Sequence, residues 1–372
     1  MKHLFFSAGE LSGDLHAANV IRRLEGCRVS GIGGDSMIAA GLTPIRHIRE
    51  TAVMGFTEVA MNYFRLRRIF HETCRYIEEK RPDLVVLVDY PGFNLRLARF
   101  AKSRGLRVLY YIAPKVWAWG SGRIKALRNN VDRLAVIFPF EEAYFKERGL
   151  HADYVGNPNI ETELSHMPLD AFFRATGLSA QARILGVLPG SRTQEVTRIL
   201  PPMAGAARIL LDEGRFDACV VSQADGLPDN LLRRLLPDDP RFRLFAGRPG
   251  PVYESARFLF VKSGTATYEA ARYERPFLVA HRASPLTTFL VRRLVNLTHY
   301  SMINLILPEP RVPELIQERA APGPIAAEAR ALLDHPDRMA AMVAAFQKLK
   351  ADARGLPPSE KVAHLIQEMI HG

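Results

Sequence analysis

Short apolar runs alternate with segments of helical period through the first half of the chain. Leu84–Val88 is apolar at every position, which is typical of a parallel strand buried between two layers of helices. This alternation predicts a parallel sheet covered by helices. The predicted strands are His3–Ser7, Val29–Ile32, Asp83–Val88, Arg107–Ile112, Asp132–Phe138 and Ala152–Val155, and the predicted helices are Asp14–Leu24, Tyr63–Glu79, Leu95–Arg104, Ser121–Asn129 and Glu141–Arg148.

The same alternation begins again after a polar stretch that follows Gly156-Asn157-Pro158. We therefore expect an α/β fold of two Rossmann-like domains facing each other across a cleft, with an N-terminal domain over 1–160 and a C-terminal domain over 161–344. The Ala-rich tail from Ile325 to Ile370 is predicted to be helical, with its last part (about 345–372) packed back on the first domain. The later predicted strands are Ile184–Leu188, Phe216–Ser222, Phe242–Phe245, Phe258–Val261 and Phe277–Ala280, with helices beginning near Gln194, Asp229, Val252, Thr265 and Leu286.

Charge and composition narrow the classes of protein to consider. The 372 residues include 50 Lys or Arg and 39 Asp or Glu, a formal net charge of +11 that predicts an anionic partner: nucleic acid, a phosphate-bearing substrate or an acidic membrane. No run approaches the ~18 apolar residues of a membrane span, and the first residues lack a signal-peptide pattern, so we expect a cytoplasmic location. The scattered Cys27, Cys74 and Cys219, and the lack of metal-ligand spacing, predict neither disulfides nor a metal site.

Ligands of open parallel sheets bind beyond the carboxyl ends of the strands, so the turns there are the candidate sites. The first turn, Ser7–Asp14, has two glycines that allow close backbone approach, and it contributes Glu10, Ser12 and Asp14; a tight structural connection explains it equally well. Asp89 follows a buried strand, where an acid is costly unless it is paired, hydrogen-bonded or functional. It suits a general base, or else it bonds the amides of its own turn.

Two further features are aromatic or amphipathic. Both tryptophans lie in the loop 114–120, where Trp117 either stacks on a sugar face or fixes the shape of the loop. The segments 53–70 and 289–295 mix large apolar residues with arginines, as in an element that lies in the headgroup plane of an acidic leaflet; a core-facing helix with a solvated arginine face is an equal alternative. The candidate membrane contacts are Phe56, Val59, Met61, Phe64 and Leu66, beside Arg65, Arg67 and Arg68.

The second half contains two strand–turn–helix connections that suit phosphate groups. In the first, Gly190 frees the backbone, the helix start attracts anions, and Arg192 is able to bind a phosphate through two nitrogens. In the second, Glu269 lies one helical turn past the small residues, where it could accept hydrogen bonds from ribose hydroxyls. Two such turns favour a nucleoside diphosphate over a ligand-free Rossmann-like domain. The residues assigned to the nucleotide are Gly190, Ser191, Arg192, Ser263, Gly264, Thr265 and Glu269.

These motifs, in this order, resemble the lipid-A-disaccharide synthase family of inverting glycosyltransferases with the GT-B architecture. The resemblance extends over nearly the whole chain. It implies transfer of 2,3-diacylglucosamine from UDP to the 6-hydroxyl of 2,3-diacylglucosamine 1-phosphate (lipid X), which yields the lipid A disaccharide 1-phosphate and UDP. The matching segments are Ser7–Asp14, Val53–Gly55, Asp89–Asn94, Pro114–Trp119, Leu188–Arg192, Ser263–Glu269 and Val312–Gln317.

The resemblance also implies roles for individual residues. Asp89 corresponds to the family's essential acid and becomes the candidate base for the acceptor hydroxyl, while Gly92 replaces a second acid usual in that turn. Arg192 corresponds to an essential arginine and is expected to neutralise the departing UDP diphosphate. The residues expected to line the substrate site are Glu10, Ser12, Asp14, Asn94, Trp117, Asn304 and Glu314.

The implied partners are UDP-2,3-diacylglucosamine, lipid X and the anionic inner leaflet of the inner membrane, to which the protein would attach peripherally. No nucleic acid, metal or other cofactor is expected, and assembly into a homo-oligomer is left open. A transferase that adds N-acetylglucosamine to a lipid-linked muropeptide is the related alternative, but the tryptophan loop and Leu188–Arg192 favour the lipid A reaction. A non-enzymatic nucleic-acid or membrane binder leaves Asp89 and the two turns unexplained, and a nicotinamide oxidoreductase lacks its G-x-G-x-x-G turn.

Overall fold

The computed structural model describes residues 1–51, 63–117, 122–164, 167–228, 230–283, 299–352 and 355–371. The chain divides into two compact units: Met1–Glu161 together with Gly355–Gly372, and Thr162–Arg354. Each unit is built on one sheet in which every strand pairing is parallel. The expected α/β class with two Rossmann-like sheets is confirmed.

The sheet of the first unit has seven strands in the order β3-β2-β1-β4-β5-β6-β7. Its central strand β4 consists of Leu and Val residues that are completely buried, as the apolar run predicts. The strands are β1 (Lys2–Ala8), β2 (Cys27–Gly33), β3 (Thr43–His47), β4 (Leu84–Val88), β5 (Val108–Tyr111), β6 (Arg133–Val136) and β7 (Ala152–Tyr154). The helices before the crossover to the second unit are α1 (Leu11–Ile21), α2 (Asp35–Ala39), α3 (Ile48–Thr51), α4 (Tyr63–Lys80), α5 (Pro91–Ser103), α6 (Arg123–Asn130) and α7 (Pro139–Lys146), followed by a 3₁₀ turn, Pro158–Glu161.

The second unit has a six-stranded sheet in the order β10-β9-β8-β11-β12-β13. Its strands are β8 (Ile184–Leu188), β9 (Ala218–Gln223), β10 (Phe242–Ala246), β11 (Ala256–Lys262), β12 (Phe277–His281) and β13 (Glu314–Ile316). Its helices are α8 (Leu169–Thr176), α9 (Thr193–Asp212), α10 (Leu231–Leu235), α11 (Gly250–Ser255), α12 (Thr265–Arg272), α13 (Met302–Ile306), α14 (Pro322–Leu333) and α15 (Pro336–Asp352), with a 3₁₀ turn at Gln317–Arg319. The helix predicted near Leu286 and the helix start predicted at Asp229 lie outside the described residues.

The tail is broken into separate helices where the sequence predicts one helical stretch. Proline begins α14, α15 and the last helix, α16 (Pro358–His371), because proline suits the first helical position and interrupts a helix elsewhere. The part that returns to the first unit is 355–372, and Glu161 accepts hydrogen bonds there from the N–H of Ser359 (3.1 Å) and from its hydroxyl. Arg133 of β6 also forms an ion pair with Glu368 at 2.6 Å.

Edge strand β3 is absent from the predicted strands. Its sequence, Thr43-Pro44-Ile45-Arg46-His47, contains a proline and two basic residues and is partly exposed, so it lacks the apolar run that marks the buried strands. Proline has no N–H to donate, so it would leave a hydrogen bond unmade in the middle of a sheet but is tolerated in an edge strand. None of the helices in the described part of the chain is long and apolar enough to cross a membrane.

Candidate functional site

The turn after β4 has a strained backbone that two buried side chains hold in place. Asp89 and Tyr90 have φ values of +48° and +50°, a left-handed conformation that costs a non-glycine residue roughly 1–2 kcal/mol. The carbonyl oxygen of Asp89 accepts hydrogen bonds from the hydroxyl of Tyr110 (2.6 Å) and from Nδ2 of Asn94 (2.8 Å). These bonds fix the direction in which the Asp89 side chain leaves the sheet.

Asn94 lies beneath this turn. Its Oδ1 accepts a hydrogen bond from the hydroxyl of Ser7 (2.7 Å), and its Nδ2 also reaches the carbonyls of Ser7 and Val88, each at 3.2 Å. The side chain is completely buried. Asn94 therefore ties β1 to β4 and holds the turn, and its predicted place in the substrate site stays a prediction.

Asp89 is half-buried, and its carboxyl lies near both the carboxylate of Glu10 and the ammonium group of Lys115. Its pKa is raised from the usual 3.8 chiefly by burial and further by the carboxylate of Glu10, while Lys115 and a backbone hydrogen bond at Tyr90 oppose the shift. The ring of Tyr90 packs so closely on Gly9 that a Cβ there would lie 2.3 Å from it, which explains the glycine in the first turn. A carboxylate of raised pKa at a strand end suits proton abstraction.

Asp14 has a different role from Glu10 although both lie in the first turn. Its carboxylate is buried and accepts the backbone N–H groups of Gly34 (2.6 Å), Ser36 (3.0 Å) and Met37 (3.2 Å). It therefore caps α2 from a distance, because the first N–H groups of a helix have no partner within it. Asp14 is thus engaged by the fold, and its contact with substrate stays a prediction, as do those of the exposed Ser12 and the half-buried Glu10.

Trp117 is anchored by a buried glutamate that the sequence analysis does not single out. Its Nε1 donates to Oε1 of Glu141 (2.8 Å), and its ring lies edge-on to Phe138 and Phe140. Oε2 of Glu141 accepts the N–H groups of Ile137 (3.1 Å) and Phe138 (3.0 Å). Glu141 is the third residue of α7, the position from which a glutamate caps a helix, and this spacing after Pro139 is the signal that could have identified it.

In the second unit the two predicted phosphate turns lie side by side. Strands β8 and β11 pair in parallel, with Leu188 opposite Val261, so the turns that follow them leave the same edge of the sheet. Gly190 has φ +101° and Gly264 has φ +152°, which only glycine adopts readily. Ser191, Arg192 and Thr265 are exposed, and Ser263 and Gly264 are half-buried.

A half-buried ion pair connects these two turns. Nζ of Lys262, the last residue of β11, lies 2.9 Å from Oε2 of Glu195 in the first turn of α9. The other oxygen of Glu195 lies 3.5 Å from Nη1 of Arg192. The sequence alone assigns no role to Lys262 or Glu195, because only the pairing of β8 with β11 brings them into contact.

Glu269 lies one turn into α12 on the same side as the phosphate turns. Its Oε2 accepts a hydrogen bond from the hydroxyl of Tyr253 (3.1 Å). Burial raises the pKa of this carboxyl, and the Tyr253 hydrogen bond acts in the opposite direction. A half-buried acceptor at this place is compatible with binding ribose hydroxyls.

Asn304 and Glu314 form a closed network that shapes the loop before α13. Glu314 accepts the N–H groups of Tyr300 (2.7 Å) and Ser301 (3.0 Å), the Ser301 hydroxyl (2.6 Å) and Nδ2 of Asn304 (2.8 Å). Asn304 also binds the backbone of Val312. The carbonyl of Tyr300 in turn accepts a hydrogen bond from the hydroxyl of Ser263 (2.9 Å), so this network positions the second phosphate turn. Direct contact of Asn304 and Glu314 with substrate stays a prediction.

The described part of the amphipathic segment 53–70 has an exposed beginning and a buried end. Phe64, in the first turn of α4, is 79% exposed, and Leu66 is half-buried, whereas Ile69 is buried in the core. Arg65, Arg67 and Arg68 are exposed. The other candidate membrane contacts (Phe56, Val59 and Met61), the segment 289–295 and Trp119 lie outside the described residues.

Comparison with known proteins identifies the family that this chain resembles. A family model described as lipid-A-disaccharide synthetase matches residues 4–364. A protein named lipid-A-disaccharide synthase from Syntrophus aciditrophicus is 38% identical and aligns over 99% of this chain and 98% of its own length. One of the same name from Myxococcus xanthus is 38% identical over 87% of this chain and 86% of its own.

Solved structures share the fold at much lower identity. A putative UDP-N-acetylglucosamine 2-epimerase from Listeria monocytogenes has a TM-score of 0.65 at 13% identity, with 100% of this chain and 97% of that chain covered. The calicheamicin glycosyltransferase CalG4 has a TM-score of 0.61 at 16% identity, with 100% and 98% covered. At these identities the likeness establishes the fold alone, which is that of GT-B glycosyltransferases.

The Trp117–Glu141 pair generates a pH prediction. Burial raises the pKa of Glu141 from 4.5 to about 7, so the folded protein holds more protons than the unfolded chain between these values, and its unfolding free energy falls as the pH rises through that window. In a Trp119→Phe background, where Trp117 is the remaining tryptophan, we expect its fluorescence to titrate with a midpoint about 7 because a proton arrives on its hydrogen-bond acceptor.

Glu141→Gln in the same background is the control and should remove both the fluorescence transition and the fall in stability. Emission that stays constant from pH ~5 to ~8, or that titrates equally in the Gln variant, would contradict the assignment.

Proposed function

The chain belongs to the lipid-A-disaccharide synthetase family, and we propose that it transfers 2,3-diacylglucosamine from UDP to the 6-hydroxyl of lipid X. It is a glycosyltransferase of lipid A synthesis, whose products are the lipid A disaccharide 1-phosphate and UDP. The family match over residues 4–364 carries this conclusion. The same match and the named relatives favour this reaction over transfer to a lipid-linked muropeptide and over a non-enzymatic binder.

Asp89 is the proposed base. Its carboxylate would remove the proton from the acceptor 6-hydroxyl as that oxygen attacks the anomeric carbon of the UDP-sugar. The C–O bond to the UDP phosphate breaks on the opposite face, so the configuration inverts without a covalent glycosyl-enzyme. Support comes from the raised pKa of Asp89 and from the fixed turn that carries it.

Arg192 and Glu269 are the proposed anchors of UDP. The guanidinium of Arg192 would bind the diphosphate and neutralise the charge that grows on it as the bond breaks. Ser263, Gly264 and Thr265 would donate hydroxyl and backbone N–H groups to the phosphates, and Glu269 would accept from the ribose. We propose that this side-chain set performs the reaction without a metal ion.

The direct test is to incubate the purified protein with UDP-2,3-diacylglucosamine and lipid X, with and without a chelator, and to analyse the products by mass spectrometry. We expect UDP and the disaccharide 1-phosphate in both cases. A folded protein that binds UDP but forms no disaccharide would refute the proposed acceptor, and a requirement for a divalent ion would refute the metal-free mechanism.

In this assay, Asp89→Asn should lower turnover ~10²–10⁴-fold while UDP binding persists, because the shape remains and the base is lost. Wild-type activity should fall with decreasing pH through a pKa above 3.8, since only ionised Asp89 accepts a proton. Asp35→Asn, at an exposed carboxylate of the same unit, is the control. Turnover of Asp89→Asn close to wild type would exclude Asp89 as the base.

Arg192→Ala and Glu269→Ala should each weaken UDP binding, measured by calorimetry. We expect about tenfold for Arg192→Ala, because a charged hydrogen bond to the diphosphate is lost. Arg198→Ala, in the helix that begins directly after Arg192 but hydrogen-bonded to that helix's own backbone, is the matched control and should bind UDP normally. If both variants bind UDP as tightly as wild type, the nucleotide site lies elsewhere.

We propose further that the first turn of α4 docks the protein on the anionic inner leaflet. The acyl chains of both substrates leave a bilayer only at ~0.8 kcal/mol per CH₂, so the enzyme must approach them. The exposed Phe64 would insert among the headgroups, and Arg65, Arg67 and Arg68 would each contribute on the order of 1 kcal/mol near anionic lipid.

Phe64→Ser should reduce sedimentation with anionic vesicles and leave thermal stability unchanged, because this side chain is exposed and not part of the core. Leu356→Ser, at another exposed apolar residue of the same unit, is the control and should sediment like wild type. Equal vesicle binding by Phe64→Ser and wild type would exclude docking through this helix.

A further inference from the structure

Lys262 and Glu195 form an ion pair inside the proposed nucleotide site that the mechanism above does not use. Their side chains are only 15% and 24% exposed, and Nζ to Oε2 is 2.9 Å. Removing an ammonium group from water is costly unless it is paired. The carboxylate that pairs with Lys262 is also 3.5 Å from Arg192, so one anion serves two cations.

The side chain of Lys262 runs close to both glycines of the phosphate turns, Gly190 and Gly264. A Cβ built on Gly190 would lie 3.4 Å from Cδ of Lys262 and 3.4 Å from Oε2 of Glu195, so the lysine stem crosses directly over this turn. A Cβ on Gly264 would lie 3.9 Å from Nζ of Lys262. The ammonium group is therefore located between the two turns, where a ligand that contacts both would meet it.

The end of the neighbouring strand β12 places an uncharged side chain, His281, near Lys262. His281 ends β12, beside β11, and its Nδ1 is buried without a hydrogen-bond partner among the described residues. Burial, and then the positive charge of Lys262, lower the pKa of this histidine, which keeps the ring uncharged at neutral pH. The positive charge beside the two phosphate turns thus comes from Lys262 and Arg192, and the single negative charge of Glu195 partly offsets it.

We propose that Lys262 is a second diphosphate-binding residue, that Glu195 holds it in position before the nucleotide binds, and that the diphosphate then replaces Glu195 as the partner of both Lys262 and Arg192. This inference rests on the proposed UDP site. Two cations on the diphosphate stabilise the leaving UDP more than Arg192 alone, since both act where negative charge grows. Glu195 is a positioning residue in this scheme, because it acts on the ligand only through the two cations.

The test measures UDP binding by calorimetry and uridine binding by competition against UDP. Lys262→Met keeps the length of the stem and removes the charge, so we expect UDP affinity to fall about tenfold with uridine affinity unchanged. Lys262→Arg should retain most of the UDP affinity. Lys350→Met, which breaks another Lys–Glu ion pair of the same unit (2.7 Å to Glu274), is the matched control and should leave UDP affinity unchanged.

Glu195→Gln separates this proposal from a purely structural ion pair. The Gln side chain can still accept a hydrogen bond from Lys262 and so hold it in position, but it lacks the charge that competes with the diphosphate, so the proposal expects UDP affinity to stay equal or rise. If the ion pair merely holds the two turns together, Glu195→Gln weakens UDP binding as much as Lys262→Met does. The proposal is overturned if Glu195→Gln weakens UDP binding as much as Lys262→Met does. It is also overturned if Lys262→Met binds UDP as tightly as wild type while Arg192→Ala binds it more weakly. A wild-type protein that fails to bind UDP would instead refute the proposed function.

Discussion

Parallel pairing between strands that are distant in sequence is the constraint on which both candidate sites depend. Ala8 pairs with Val88 at the ends of β1 and β4, and this register brings the first turn next to Asp89. Leu188 pairs with Val261 at the ends of β8 and β11, which places Gly190 beside the second phosphate turn. Since parallel strands all end at one edge, each sheet collects its chemically active turns there. The site in each unit is thus a consequence of strand order.

The buried polar groups around these turns fall into two classes. Asp14, Asn94 and Glu314 use their polar atoms on backbone groups or on side chains of the fold itself. At Asp89, in contrast, the bonds from Tyr110 and Asn94 go to the backbone carbonyl, while the carboxylate takes part in a backbone hydrogen bond at Tyr90. This arrangement lets the fold stabilise a strained backbone and still offer an acid of raised pKa to a substrate.

The sequence predicts the fold class well because that class follows from local pattern, and the candidate turns are read from the same pattern. The apolar run Leu84–Val88 and the small residues after Leu188 are visible without any tertiary information. Which polar residues serve the fold and which remain available to a ligand cannot be read from the sequence, because this depends on partners that are distant along the chain. Ser7 contacts Asn94 across 87 positions, and Lys262 contacts Glu195 only through the pairing of β8 with β11. Edge strand β3 is not predicted because its local pattern is weak: the strand is partly exposed and contains Pro44, so it lacks an apolar run.

Helix α4 shows why an amphipathic pattern alone leaves its function open. Ile69, Thr73 and Ile77 recur every four residues and are buried, so the middle of the helix belongs to the core of the first unit. The first turn continues the same helix but leaves Phe64 exposed beside its arginines. The core-facing interpretation therefore holds for the middle of the helix, whereas the membrane-facing one stays a prediction for its first turn. Because buried residues such as Ile69 and Ile77 anchor the helix in the core, the fold does not require the exposed apolar residue at its start to be buried.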